Sequence, residues 1–193
     1  VYIRQAYPLG LGHAVACAAN LIKGEPFAVI LADDLIKSKS SNCLQQLINR
    51  YDQIGTSIIA VERVADTEVS NYGIVGFKEP HSTSEFINQI IEKPELSLAP
   101  SKHAVVGRYI LTPKIIECLK ILEAQNNGIE IQLTDALAAL LVHEPIYALE
   151  FEGTRFDCGK KTEYFRAILE YALQKPEYRQ IFNEVAEKLP CVL

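Results

Sequence analysis

The run Phe27-Ala28-Val29-Ile30-Leu31 is apolar at every position, has the length of a strand, and gives way abruptly to Asp33-Asp34. A strand with one wet face alternates apolar and polar residues, so an unbroken apolar run predicts a strand covered on both faces. Such a strand needs helices on either side of its sheet, and the rest of the chain offers them. Residues 14–23 are alanine-rich and read as a helix stopped by Gly24. Leu44, Leu47, Ile48 and Tyr51 fall on one helical face, with Asn42 and Gln45 resembling a capping box and Gly55 as the stop. Residues 57–64 read as a second buried strand. Two further strands, 72–78 and 86–92, flank a polar turn around His81, and residues 104–111 form another strand after the loop bounded by Pro94 and Pro100. Residues 1–4 read as the end of a strand.

Thr112-Pro113 predicts a helix start, a hydroxyl cap followed by Pro at the first helical position, with Ile115, Ile116, Leu119 and Leu122 on the buried face. Residues 133–143 read as the next helix and 146–151 as the next strand. The segment 162–174 is amphipathic through Tyr164, Phe165, Ile168 and Ala172; Pro176 breaks it, and a last helix is expected to bury Ile181, Phe182 and Val185. The pattern is α/β with a mainly parallel sheet, some antiparallel additions and flanking helices. It predicts a single domain over residues 1–193 with a helical C-terminal third from about 162.

Bulk properties narrow the function. Hydrophobic residues at 49% and charged residues at 22% are ordinary for a chain with a packed core. The net charge of −5 and the lack of a Lys/Arg block argue against a nucleic-acid surface, although anionic small molecules remain open to a site that focuses a few cations and backbone N–H groups. No apolar run reaches the roughly 18 residues of a membrane span. Cys17, Cys43, Cys118, Cys158 and Cys191 are widely spaced with no C-x-x-C pair, which predicts free thiols in a reducing cytoplasm. The four histidines (13, 81, 103 and 143) lack metal spacing and read as surface or loop residues. The chain contains no Met and opens on Val1-Tyr2-Ile3, which gives the expectation of further sequence upstream.

Five places carry candidate chemistry. Gly10-Leu11-Gly12-His13-Ala14 precedes a helix but has Val15 where a dinucleotide fingerprint needs its third glycine; a tight turn and a close approach of base or phosphate to backbone both remain open. Asp33 stands past the carboxyl end of a strand, where ligands of open α/β sheets gather, and is a candidate for a divalent metal. Asp34 is the alternative, turn-capping by both is another, and Asp157 is a possible second carboxylate. In Ile91-Glu92-Lys93-Pro94, proline fixes the chain direction after a strand, so Lys93 is a candidate for phosphate and Glu92 for sugar hydroxyls, against the reading of a solvated pair. Asn71-Tyr72-Gly73 and Val106-Gly107-Arg108-Tyr109 each put a glycine in a strand, a position that favours close approach.

Taken in order, Gln5 with Gly10-Leu11-Gly12-His13-Ala14, Ala28 to Asp33, Tyr72-Gly73, Glu92-Lys93-Pro94, Val106-Gly107-Arg108-Tyr109, Glu130-Ile131-Gln132-Leu133-Thr134-Asp135-Ala136 and Asp157-Cys158-Gly159-Lys160-Lys161 closely resemble the bacterial UTP–glucose-1-phosphate uridylyltransferases. The resemblance implies a Rossmann-like fold of the nucleotide-diphospho-sugar transferase type, truncated at its N-terminus. It also implies synthesis of UDP-glucose and pyrophosphate from UTP and glucose 1-phosphate, with Mg²⁺ as cofactor. It places uracil at Gln5 and the Gly10 backbone, the glucose ring at Gly73, sugar hydroxyls at Glu92, and the sugar phosphate at Lys93. It makes Asp33 and Asp157 the metal ligands, and Gly107 with Arg108 the wall and scaffold of the sugar pocket. The family has Pro before the metal Asp and an apolar residue after it, where this chain has Ala32 and Asp34. The family's glycine-rich Thr-Arg loop is not among these residues, so the chain alone is expected to be inactive. A homo-oligomer is also expected, with neither nucleic-acid nor membrane partners. A thymidylyltransferase using dTTP, and a non-catalytic nucleotide-sugar-binding fragment, are the alternatives.

Overall fold

The computed structural model describes residues 1–78, 85–125 and 128–188. Along the chain run α1 (Gly10–Cys17), α2 (Ala19–Ile22), β1 (Phe27–Ile30), β2 (Asp34–Lys37), α3 (Cys43–Ile54), β3 (Ile58–Arg63), β4 (Gly73–Phe77), β5 (Ile87–Glu92), β6 (His103–Leu111), α4 (Lys114–Ala124), α5 (Leu133–Leu140), β7 (Tyr147–Glu150), β8 (Thr154–Asp157), α6 (Lys161–Ala172) and α7 (Pro176–Ala186). Contacts gather these into two compact units, one of Val1–Leu31 with Ser38–Gly153, the other of Ala32–Lys37 with Thr154–Leu193.

The first unit is built on a sheet of order β5-β4-β6-β3-β7, with β1 paired to β6 off that path. The expected mixed α/β class is present, but not the expected parallel majority: of the five strand pairings in this sheet among the described residues, only β3 with β7 is parallel. The alternation of strand and helix did give β1 and β3 the same sense, since each runs antiparallel to β6. What the alternation could not convey is that β6, the longest strand, lies between them. Ile59 and Val61 of β3 join Val105, Tyr109 and Leu111 of β6 in a core closed by Val15, Ile115, Leu119 and Leu137 from α1, α4 and α5. The alternate positions Ile58, Ala60, Val106 and Ile110 are buried too, because side chains of a strand point to opposite faces, and α3 packs against β3 and β6.

Local signals formed as written. The Asn42 side chain accepts from the Gln45 N–H at 2.9 Å, and Gly55 ends α3 in the left-handed conformation. Other expectations need correction. The expected double cover of β1 is missing: Ala28 and Ile30 are exposed, since among the described residues β1 pairs only with β6. Residues 1–4 form no strand. The Thr112 hydroxyl donates to Glu144 Oε1 at 2.7 Å and does not cap α4.

The second unit holds an antiparallel ribbon of β2 and β8, in which Asp34 lies opposite Asp157 and Ile36 opposite Arg155, followed by α6 and α7. Phe156 is fully buried, with the Tyr171 ring edge-on at 6.5 Å. The apolar stripes of α6 and α7 were read correctly as helical but not as core. Tyr164, Phe165, Ile168, Ile181, Phe182 and Val185 are all exposed, and Ala167 is the one buried residue of the two helices among the described residues. Amphipathic spacing sets the helix and its face, not what covers that face.

No helix among the described residues is long and apolar enough to cross a membrane. Cys17, Cys43, Cys118 and Cys158 are free thiols, and Cys191 lies outside the described residues, as does His81.

Candidate active site

At the start of the first unit Gln5 folds back on the helix that follows. Its Nε2 donates to the Gly10 carbonyl at 3.0 Å and lies 2.8 Å from Nδ1 of His13. His13, expected at the surface, is half-buried between this amide and Cys17, whose Sγ is 3.9 Å away. The helix begins at Gly10 itself, at φ 93°. The glycines are needed there for a reason the sequence did not show. The Gly12 N–H donates to the Ile131 carbonyl at 2.9 Å and the Ile131 N–H to the Leu9 carbonyl at 2.8 Å, so two backbones lie side by side. A Cβ on Gly10 would stand 2.5 Å from Glu130 Cγ and 2.6 Å from the Ile131 oxygen; one on Gly12 would stand 2.9 Å from that same oxygen. The close approach is thus to the segment 130–131.

A second group assembles where β4 and β5 pair. Gly73 is the register partner of Glu92. Glu92 Oε2 accepts from the Thr134 hydroxyl at 2.9 Å, and its Oε1 lies 3.7 Å from Lys93 Nζ. Gly73 has no room for a side chain, because a Cβ there would meet Thr134 Cγ2 at 2.7 Å and Glu92 Oε2 at 3.2 Å. Lys93 adopts φ 44°, a left-handed conformation that a side-chain-bearing residue pays about 1–2 kcal/mol to hold. Its N–H donates to the Tyr72 carbonyl at 3.0 Å and so ties the backbone in place, against the extended conformation that the ring of Pro94 favours for the preceding residue. Backbone strain of this kind concentrates at functional positions.

Gly107, expected at the sugar pocket, takes part in the pairing of β6 with the end of β1. Its carbonyl accepts from the Leu31 N–H at 2.9 Å, while Arg108 donates to the Leu31 carbonyl at 3.0 Å. These two residues hold the exit of β1, from which the chain runs into Asp33.

In the second unit the two adjacent aspartates part company. Asp34 is buried and paired with Arg155, whereas Asp33 is exposed. The Cys158 N–H donates to the Asp33 carbonyl at 2.8 Å, which brings the 157–159 turn against it. Gly159 lies between the carboxylates: a Cβ there would be 3.2 Å from Asp157 Oδ1 and 3.8 Å from Asp33 Oδ2. The other oxygen of Asp157 is 3.8 Å from Lys160 Nζ and 4.0 Å from the Arg155 guanidinium. Two hard oxygens facing one point beside a glycine fit Mg²⁺, which takes one or two carboxylates and completes its shell with water and phosphate oxygens. No group of three or more His, Cys, Asp or Glu among the described residues forms a closed metal cage.

The site residues read from the sequence therefore fall into three local groups: Gln5 with Gly10, Gly73 with Glu92 and Lys93, and Asp33 with Asp157, while Gly107 supports β1. Sequence reasoning missed Thr134 and Arg155 as partners. Thr134 stands within the Glu130 to Ala136 run that carried the resemblance, but nothing in that run tells which residue its hydroxyl faces.

The first unit thus carries glycines in the opening turn of α1 and a glutamate–lysine pair at the end of β5, and the second unit a pair of aspartates. This chain belongs to the nucleotidyl transferase family, whose model matches residues 1–174. It is 45% identical over 178 residues to the UTP–glucose-1-phosphate uridylyltransferase YngB of Bacillus subtilis (strain 168), a match that takes in 92% of this chain and 59% of that protein. It is 38% identical over 188 residues to the UTP–glucose-1-phosphate uridylyltransferase of Staphylococcus epidermidis RP62A, with 97% of this chain and 65% of that one matched. Among solved structures it is similar to a UDP-glucose pyrophosphorylase complexed with UDP-glucose (TM-score 0.82, 40% identity, 91% of this chain and 66% of that one). The UTP-bound enzyme of Acinetobacter baumannii superposes with TM-score 0.83 at 40% identity, over 97% of this chain and 65% of that one. The chain thus spans 59% to 65% of the length of the two curated relatives.

Proposed function

We propose that the protein carrying this chain is a UTP–glucose-1-phosphate uridylyltransferase of the cytoplasm. The observation that carries this reading is the Gly73–Glu92–Lys93 group, a carboxylate and a strained lysine beside a glycine with no room for a Cβ, within a chain so similar to proteins of that name. The reaction joins a phosphate oxygen of glucose 1-phosphate to the α-phosphorus of UTP and breaks the bond from that phosphorus to the oxygen bridging the β-phosphate. UDP-glucose and pyrophosphate leave.

Each group then has a task. The Gln5 amide, with its nitrogen given to the Gly10 carbonyl, offers its oxygen to the ring N3–H of uracil. Glu92 Oε1 accepts from sugar hydroxyls, and the Lys93 ammonium draws in the phosphate carried by the sugar. Both substrates are polyanions, so alignment and neutralisation of charge are the main catalytic work, and no protein nucleophile is needed. Asp33 and Asp157 are the residues that would hold Mg²⁺, which when bound offsets phosphate charge. Asp34 is committed to Arg155, so Asp33 is the ligand of the adjacent pair. The free thiols of Cys17, Cys43, Cys118 and Cys158 suit a reducing compartment. The exposed apolar stripes of α6 and α7 suit self-association.

The test is pyrophosphate release by the full-length protein with glucose 1-phosphate and either UTP or dTTP. UTP is expected to be the preferred substrate. Preference for dTTP, or binding of UDP-glucose with no turnover, overturns the assignment.

A further inference from the structure

We propose that Thr134 is a positioning residue for hexose-phosphate recognition, acting through its hydroxyl on Glu92; the proposal rests on the reading of Glu92 and Lys93 given above. Thr134 lies in the first turn of α5 and is buried, with 8% of its surface exposed. A buried hydroxyl must find a partner. In a helix the near choice is a backbone carbonyl of its own turn, yet here the hydroxyl donates to Glu92 Oε2 at 2.9 Å. That bond, made to a carboxylate, is of the stronger charge-assisted kind.

The surroundings leave the carboxylate few alternatives. On the β4 side it faces Gly73, where the position of a missing Cβ is 2.7 Å from Thr134 Cγ2 and 3.2 Å from Glu92 Oε2, so the three residues are in close contact. With Oε2 engaged by Thr134, Oε1 is the oxygen on the side of Lys93 Nζ, 3.7 Å away. An acceptor for a hydroxyl and a cation for a phosphate are then presented side by side, which is the pattern of a phosphorylated sugar. Without the Thr134 hydroxyl, Oε2 loses its donor, and the carboxylate is free to turn and close on Lys93 more tightly than the present 3.7 Å, which withdraws both groups from the ligand. Glu92 touches the sugar; Thr134 keeps it in the right rotamer.

The experiment uses the full-length protein with Thr134→Val, which removes the hydroxyl at nearly constant volume, and Thr134→Ser, which keeps it. Thr134→Val is expected to raise the KM for glucose 1-phosphate roughly 10- to 100-fold, with the KM for UTP within about twofold of normal, and Thr134→Ser to restore the normal value. Glu92→Gln is expected to make Thr134→Val nearly silent, because the two act as one unit. If the valine variant does not fold, Thr134→Ala takes its place in the same comparison. An unchanged KM for glucose 1-phosphate, equal loss for both substrates, or a serine variant as poor as valine overturns the proposal while the assigned reaction stands. Parent protein with no turnover of UTP and glucose 1-phosphate overturns both.

Discussion

Arg155 reaches across the β2–β8 ribbon to the carboxylate of Asp34, and both side chains are almost wholly withdrawn from water, at 7% and 6% exposure. Asp34 and Asp157 are direct register partners, an arrangement of like charges that would be unfavourable by itself. The guanidinium lies within reach of both and offsets that repulsion. Of the acidic pair after Leu31, Asp34 is therefore held in a buried ion pair while Asp33 faces solvent.

The division predicts opposite phenotypes at neighbouring positions. Arg155→Met strands a buried carboxylate and is expected to cost about 3–5 kcal/mol of stability, read by urea unfolding. Asp33→Ala, at an exposed position, is expected to leave the unfolding midpoint unchanged and abolish turnover in the full-length protein. Retained activity at saturating Mg²⁺ rules out the metal role for Asp33.

Lys93, proposed above to receive the sugar phosphate, also carries backbone strain. Lys93→Gly relieves the left-handed conformation, and Lys93→Ala keeps it. The glycine variant is expected to be more stable than the alanine variant by about 1 kcal/mol, part of the relief being lost to the greater freedom of glycine in the unfolded chain. Both are expected to damage use of glucose 1-phosphate far more than binding of UTP. Initial rates against each substrate and a denaturant titration separate the two effects.

Gly10 and Gly24 both have positive φ, 93° and 79°. Around Gly24 a Cβ would meet nothing within 4 Å, whereas at Gly10 it would strike Glu130 and Ile131. Gly24→Ala is thus expected to cost about 1–2 kcal/mol, and Gly10→Ala about 1–3 kcal/mol more, since it adds overpacking against a backbone. Equal unfolding midpoints for the two variants would argue against the packing of residues 9–12 on 130–131.

His103 supplies a pH dependence. Burial beside the Phe77 ring, 5.1 Å away and edge-on, lowers its pKa, with the Glu150 carboxylate pulling the other way and the Arg63 charge adding to the drop. As pH falls, the unfolded chain takes up the proton first, near ~6.5. Stability is complete above that value and is lost as pH falls from it toward the lower folded pKa. Thermal unfolding between pH 7.5 and 5 is expected to show a declining midpoint, with a shallower decline in His103→Gln.

What could be read in the sequence was what is local. The cap at Asn42, the stop at Gly55 and the two strands β4 and β5 are each specified within a few residues, and all formed as expected. The ribbon of β2 and β8 was not anticipated. Each strand has four residues, too few for a period to stand out, and they meet only through pairing between distant parts of the chain. The same distance hid the partners of Gly10 and Gly12: a glycine in sequence shows that something comes close, not whether that is a ligand or Ile131. At Asp33-Asp34 residue type alone did not tell the two carboxylates apart; their surroundings do, Asp34 being buried against Arg155 and Asp33 exposed. For α6 and α7 the apolar period was correct, and the burial expected of Ile181, Phe182 and Val185 in α7 was not, because a stripe does not say what will cover it.

The ribbon also sets an order of events for a growing chain. Asp34 and Arg155 are 121 positions apart, and all of β3 to β7 lies between them. A ribosome working from the N-terminus finishes all six strands of the sheet described here, β1 and β3 to β7, before β8 and Asp157 exist. Closing so long a loop is slow and entropically costly, so the ribbon is expected to form late. A polypeptide interrupted between α5 and Thr154 holds Gly73, Glu92, Lys93 and Thr134 but not Asp157.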